Sequence, residues 1–286
     1  MLPRHLLRRL PIIGLAAGIA VALMVAVTGC AGAASETPRT TMPTGVGVDY
    51  QLGGAYDPPA GVGIVVRDST ADPVSGAWSI CYVNGFQTQP GEIDRWGGRD
   101  SDLLLHDPAG APLMDPGWPD EALLDTSTPD RRERIAEVLA EDIDRCASSG
   151  FDALEIDNLD SSTRSRGALD AEDAVALARL LAERVHALGL AIGQKNAADE
   201  VDRMRDGVGF DFAVAEECVE YGECAAYTAG YGDAVIDIEY LDDVPVPERE
   251  AAVKAICADP SRPDALVIRD RDLRAEGEGD YFRATC

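Results

Sequence analysis

Short apolar runs that end in polar clusters recur from Val46 to Asp270, and amphipathic helix patterns stand between several of them. Val46–Leu52, Gly63–Asp68 and Ser79–Asn84 come first. Phe151–Asp160, Leu190–Asn196, Phe210–Cys218, Ala234–Tyr240 and Asp264–Asp270 follow. Thr128-Pro129 is a helix start, with Pro at the first helical position. Ile135, Val138, Leu139, Ile143 and Cys146 continue at helical spacing until Gly150. Asp170 opens a second helix with Val175, Leu177, Leu181, Val185 and Leu188 as its apolar positions, and Glu248–Cys257 reads as another. With about nine candidate strands in this alternation, a (β/α)8 TIM barrel fits best, one candidate being accessory. An open doubly wound sheet is the runner-up, but no G-x-G-x-x-G or Walker motif supports a nucleotide site. Between the third strand and the first helix lies a long stretch that holds Trp96, Trp118 and several Gly and Pro. A connection of that length points to function.

The C-terminal ends of barrel strands are where chemistry is placed. Four of them carry polar groups: Glu155, Asp157 and Asn158; Lys195 and Asn196; Glu216 and Glu217; Glu239 and Tyr240. Gly150–Asp160 is the densest, with more acids than helix capping needs. Two carboxyls on opposite sides of a glycosidic bond can protonate the leaving oxygen and attack the sugar or activate water. Lys195 is one of two Lys against 23 Arg, which suggests that a compact ammonium is wanted there. An ion pair that orients a catalytic carboxylate fits it better than a Schiff base, which needs a lowered pKa. Tyr50, Tyr82, Tyr221, Tyr240 and Trp118 form a set suited to stacking on sugar rings. A Ser-His-acid triad would need His106 or His186, and no G-x-S-x-G elbow is present. Asp157–Asp160 is tolerable for Mg²⁺ or Ca²⁺ but is not an EF-hand loop, so no metal or cofactor is expected.

Residues 1–29 are not part of the fold. Arg4, Arg8 and Arg9 precede an apolar run, Ile12–Val27, which is too short for a comfortable membrane span. Val27-Thr28-Gly29-Cys30 resembles a bacterial lipobox, which implies lipidation of Cys30. Residues 30–45 read as a flexible tether and 46–286 as one domain, either lipid-anchored outside the cytoplasm or secreted. From Cys30 onward, 22 basic residues face 51 acidic ones, a net charge of −29. That disfavours nucleic acid and anionic headgroups and suits either a cationic substrate or simple solubility. Six further cysteines remain: Cys81, Cys146, Cys218, Cys224, Cys257 and Cys286. An even count in an exported chain argues for disulfides, with about fifteen pairings open. Chain order suggests Cys218–Cys224, Cys257–Cys286 and Cys81–Cys146. Zinc is disfavoured, because no C-x-x-C pair occurs and only His106 and His186 lie beyond the leader.

Taken in order, these motifs resemble glycoside hydrolase family 114, the endo-α-1,4-polygalactosaminidase-like proteins. Gly150-Phe151-Asp152 through Asp160 resembles its G-F-D-G-x-E-x-D-N-x-D block, and Gly189-Leu190 through Lys195-Asn196 its G-L-x-x-x-x-K-N segment. Phe210–Val214 with Glu216, Cys218 and Cys224 resembles F-D-F-A-x-x-E-x-C…C, and Ile238-Glu239-Tyr240 the terminal V-E-Y. The likeness runs from about Tyr50 to Tyr240, nearly the whole domain. It implies a (β/α)8 barrel, Asp157 and Glu216 as the catalytic carboxylates, and a paired Cys218 and Cys224; of the two carboxylates we assign Asp157 as nucleophile and Glu216 as acid/base. Tyr50, Tyr82, Asp125, Glu155, Asn158, Lys195, Asn196, Glu239 and Tyr240 are then expected to bind substrate or tune these carboxyls. The implied activity is endo-hydrolysis of α-1,4-linked galactosamine polymers.

Two turns depart from the family. Val48-Asp49 stands in the first strand where the family often has Trp, and Asn84–Thr88 replaces a Gly-Ser-Trp-Glu-like turn. Trp118-Pro119-Asp120-Glu121 keeps the family's W-P-x-E run, with Asp125 after it. The altered turns lie where substrate would bind. They keep open a non-catalytic saccharide-binding lipoprotein on the same barrel, and the acidic cluster keeps open a metal-dependent hydrolase.

Overall fold

The computed structural model describes residues 41–286. Parallel strands follow one another in chain order: β1 (Gly47–Gln51), β2 (Val62–Asp68), β3 (Trp78–Asn84), β4 (Ala153–Asp157), β5 (Ala191–Lys195), β6 (Phe212–Glu216), β7 (Val235–Tyr240) and β8 (Ala265–Arg269). β9 (Arg283–Ala284), which lies outside every run read as a strand from the sequence, runs antiparallel to β8. Parallel neighbours with crossovers between them are what the alternating pattern demands, and the architecture is a single (β/α)8-type barrel.

Side chains close the seam between β1 and β8. The two strands are neighbours, and the fully buried Arg269 donates to the Tyr50 carbonyl across them. Arg283 reaches the Val48 carbonyl at 3.1 Å and the Asp49 carboxylate at 2.9 Å. A Cβ at Gly53 would lie 2.5 Å from the carbonyl oxygens of Asp272 and Leu273, so only glycine admits this approach.

Period-two alternation sorts the strand residues into two layers. Val48, Tyr50, Ile64, Val66, Ile80, Ala153, Phe212, Val214, Ile236 and Ile238 fill the barrel interior. Cys81, Leu154, Ile156, Ile192, Ala213 and Ala215 face outward against helix residues. Gly193 leaves room for the Phe212 ring, which a Cβ there would meet at 2.4 Å. Met42 is buried with the interior set, so packing begins ahead of Val46, inside the segment read as a tether.

Helix α1 (Pro129–Ser149) begins where Thr128 accepts from the Arg131 N–H, and it ends at Gly150 in the left-handed region. Asp170 caps α2 (Ala171–Ala187) by accepting from the Asp173 N–H. Residues Leu139, Ile143, Leu177, Leu181 and Val185 bury the inner faces of these helices on the sheet. Helices α3 (Cys218–Tyr221) and α4 (Cys224–Tyr231) follow β6, and α5 (Arg249–Ala258) follows β7. The first two escaped the sequence reading because α3 is only four residues long and α4 is made largely of Ala, Gly and Tyr, so neither shows an apolar period. Cys218 therefore opens α3 and does not belong to the strand.

Three disulfides form. Cys81–Cys146 ties β3 to α1, Cys218–Cys224 clamps α3 to α4, and Cys257–Cys286 fastens the C-terminus to α5. The first spans 65 residues, and closing a loop of that size in the unfolded chain contributes about 4 kcal/mol. Such bonds fit an oxidising compartment. No helix among the described residues is long and apolar enough to cross a membrane. Cys30 and residues 1–29 lie outside the described residues.

The stretch between β3 and α1 folds through isolated antiparallel bridges, Gln87 to Leu123, Leu104 to Leu124 and Met114 to Ala122 among them. It brings Gln87, Gln89, Trp96, Asp115, Trp118 and Glu121 to the C-terminal mouth of the barrel.

Candidate active site

At that mouth the inward-facing ends of β1, β3, β4, β5, β6 and β7 converge. Lys195 is at the centre and is nearly sealed from solvent. Its Nζ lies 3.2 Å from Glu155 Oε1, 3.5 Å from Asp157 Oδ2 and 3.3 Å from Glu216 Oε2. Each carboxylate also has its own phenol. Tyr50 donates to Glu155 at 2.6 Å, Tyr82 to Asp157 at 2.6 Å, and Tyr240 to Glu216 at 2.5 Å. Lys195 Nζ also donates to the Tyr50 oxygen at 3.1 Å. Asn196 grips Glu216 from both sides, accepting from its backbone N–H at 2.8 Å and donating to Oε2 at 2.9 Å.

The strands end in the same way at the three positions that matter. Asn158, Asn196 and Glu217, each next to Asp157, Lys195 or Glu216, have φ of 65°, 49° and 60°. Asn tolerates this left-handed conformation, whereas Glu adopts it at a cost of about 1 kcal/mol or more. The kink sends Glu217 away from the cluster, where it pairs with Arg271 at 2.7 Å. Arg271 in turn lies over the Tyr240 ring, 4.5 Å from its centroid.

Accessibility separates the carboxylates. Glu155 is fully buried, while the side chains of Asp157 and Glu216 are 16% and 28% exposed, so only these two can meet a substrate. Burial pushes the Glu155 carboxyl up to about 7, with Lys195 opposing and Asp157 adding to the rise. Burial also acts to raise Glu216, but Lys195, Tyr240 and Asn196 outweigh it and hold that carboxyl below its usual range. Burial works against the Lys195 ammonium as well, and the surrounding carboxylates overcome it, holding Lys195 well above the usual value. Burial raises the three phenols, so they remain donors.

The structure does not bring two of the expected residues to this cluster. Glu239 stands one position before the inward-facing Tyr240, so the strand period turns it outward. Its carboxylate accepts from the Val219 N–H at 2.8 Å, beside Asp237. Asp125 sits at the start of α1, where it accepts from Ser127 and pairs with Arg131 at 2.7 Å. Asn158 does line the cleft, and its side chain donates to Asn84 Oδ1 at 3.0 Å. Asn84, in the turn that departs from the family pattern, also donates to Glu121 at 2.9 Å. The sequence marked Asn84 only as part of an altered turn and Glu121 only as part of the W-P-x-E run, and named neither as a site residue, because neither lies in an acid-rich strand end.

Behind the cluster, burial raises the Asp237 carboxyl to about 8, aided by Glu239. One Asp237 oxygen has no partner. In the unfolded chain this proton leaves near the ordinary value, so between roughly pH 4 and 8 unfolding releases it and stability falls as pH rises. Asp237→Asn is expected to flatten that fall in a thermal-midpoint series from pH 5 to 9. A wild-type midpoint that does not decline, or a variant with the same slope, would contradict the assignment.

Among the described residues, Cys218, Cys224 and Asp237 have the spacing of a metal-ligand set. The two sulfurs are joined to each other and supply no thiolate. The acids of the Asp157–Asp160 stretch already have cationic partners, Lys195 for Asp157 and Arg164 for Asp160.

The cluster lies in the bed of an open cleft of about 720 Å³. A second cavity of about 540 Å³ adjoins it and shares Asp160, Asn196, Glu216 and Arg271 with the first. Paired carboxylates in an open cleft at a barrel mouth fit one class of protein, the barrel glycoside hydrolases. The chain belongs to glycoside-hydrolase family GH114, whose sequence model matches residues 30–286. None of the curated proteins compared with it matches. Among solved structures, Ega3 of Aspergillus fumigatus in complex with galactosamine is similar at 24% identity and a TM-score of 0.68, covering 88% of this chain and all of that one. The glycoside hydrolase domain of PelA from Pseudomonas aeruginosa is similar at 16% identity and a TM-score of 0.53, covering 80% of this chain and 96% of that one. At these identities the likeness supports the fold.

Proposed function

We propose that this glycoside hydrolase cleaves α-1,4-linked galactosamine-type exopolysaccharide within the chain, with Asp157 as nucleophile and Glu216 as acid/base. One observation carries the reading: Asp157 and Glu216 are the two accessible carboxylates of the cluster, and a single ammonium bridges them. Those two contacts limit their nearest oxygens to about 7 Å apart, which places both carboxyls within reach of one glycosidic bond, and the stereochemical outcome decides between attack by Asp157 and attack by an activated water. Glu155, Lys195, Asn196 and the phenols of Tyr50, Tyr82 and Tyr240 orient the pair and set its charge. The cavities on either side of Glu216 suit a polymer that runs through the site.

Two observations support the substrate. The related Ega3 was solved with galactosamine, and the −29 charge from Cys30 onward suits a cationic polymer. The test is reducing-end release from partly deacetylated α-1,4-galactosaminan, with the anomer of the first product followed by NMR. Retained configuration supports the mechanism, and inversion overturns it. Binding without cleavage by the folded protein would favour a saccharide-binding role.

The lipobox-like Val27–Cys30 supports anchoring of the domain to the outer face of a membrane through a lipid on Cys30. Full-length protein is then expected to partition into detergent and Cys30→Ser into water. Equal partitioning would remove the anchor.

A further inference from the structure

Glu121 enters the cleft from the long β3–α1 segment and does not belong to the Lys195 cluster. It is 6% exposed and lines the cavity beside Trp118, whose surface is 54% exposed. Its Oε2 accepts from Asn84 at 2.9 Å. Its other oxygen has no hydrogen-bond partner among the described residues and is not sealed in the protein. No Lys, Arg or His among the described residues pairs with Glu121. The arginines that line the same cavity have other partners: Arg95 and Arg145 hold Asp142, Arg164 holds Asp115 and Asp160, and Arg271 holds Glu217.

We infer that Glu121 is a specificity-determining residue that binds the protonated amine of a sugar unit next to the one at Asp157, with Trp118 as the adjoining apolar face. This deepens the proposed reading of the cleft and rests on it. A nearly buried carboxylate with one held oxygen and one open oxygen gains most from a ligand that brings a positive charge and a donor together. A neutral amide offers a donor but no charge, so an N-acetylated unit gains much less. Burial pushes the Glu121 carboxyl up to about 7 against the Asn84 donation, and the carboxylates of Asp157, Asp120 and Asp115 add to the rise. The largest charge contributions at Glu121 thus all come from acids.

The hydrogen-bond chain also reaches the reacting residue. Glu121 is joined to Asn84, Asn84 to Asn158, and the Asn158 backbone N–H to Asp157 Oδ1 at 2.7 Å. An amine held at Glu121 is therefore held in register with Asp157.

The test is calorimetric binding to Asp157→Asn protein, which does not turn over, with and without Glu121→Gln. The ligands are an α-1,4-galactosamine tetramer and its fully N-acetylated counterpart. Glu121→Gln keeps the shape and an oxygen for Asn84. It is expected to weaken the charged tetramer about 10-fold or more, as for loss of a charge-assisted bond, while the acetylated tetramer changes less than about 2-fold. Equal weakening of both ligands, or of neither, overturns the inference. The acetylated ligand and a thermal midpoint control for misfolding. Cleavage by wild type is measured separately, so lack of turnover would reject the proposed reaction and leave the binding comparison to decide the role of Glu121.

Discussion

Asp157→Asn and Glu216→Gln are each expected to lower turnover of galactosaminan by about 1,000-fold or more while the protein stays folded. Both substitutions keep side-chain shape. Each removes one of the two accessible carboxylates of the Lys195 cluster. The defects are expected to differ in kind. A substrate with a good leaving group does not need the acid, so it should restore the first step in Glu216→Gln and not in Asp157→Asn. The pH profile gives an independent check. An acid must be protonated, and Lys195, Tyr240 and Asn196 outweigh burial to hold Glu216 below its usual range. If Glu216 is the acid, kcat/KM of the wild type is highest at acidic pH and falls as pH rises past that lowered value. A kcat/KM that rises through the same interval would exchange the two roles, and full activity in either variant would end the proposal.

Lys195→Met is expected to cost about 3–5 kcal/mol of stability near neutral pH, as for removal of one partner from a buried ionic cluster. Met fills a similar volume and leaves Glu155, Asp157 and Glu216 facing one another with no ammonium between them. The sign of the pH dependence follows from the shifts. In the wild type the lowered Glu216 carboxyl contributes stability above its unfolded value, and that contribution is lost as pH falls through the folded value. Without Lys195, burial and mutual repulsion leave the carboxyls raised, so the penalty grows as pH rises and shrinks toward acid. Urea unfolding of both proteins at several pH values measures this. A loss of about 1 kcal/mol or less that does not change with pH would mean that Lys195 is peripheral to the cluster. Activity is expected to fall as well, because Asp157 and Glu216 lose their common anchor.

Most of the fold was legible because parallel strands buried on both faces read as short apolar runs with polar ends. Each of the eight runs is a strand, and Thr128-Pro129 and Asp170 open the two long helices. Residues at alternating positions within one run were also legible as a group. Glu155 and Asp157 share the inner face because they are two apart. Glu239 and Tyr240 are adjacent, so only one can face inward. Composition does not say which, since Ile236, Ile238, Asp237 and Glu239 are all buried. The neighbouring strand and helix decide it. Asp125 misled for a related reason. An acid just before a helix serves a cap or an ion pair as readily as a cleft, and here Arg131 takes it.

By itself the sequence determined the alternation of strands and helices, the strand ends that would carry polar groups, and the presence there of Asp157, Lys195 and Glu216. These are local properties, set by residue type and by the period of the backbone. Only the tertiary structure decided that one ammonium would lie within 3.5 Å of three carboxylates contributed by two different strands. It also decided that Glu155 would be sealed while its neighbours stayed open, and that Glu121 would reach the same cleft from a distant loop. Those outcomes depend on barrel closure and loop packing, which bring residues far apart in sequence within hydrogen-bond reach. Their pKa values follow from that burial and company, and no local pattern encodes either.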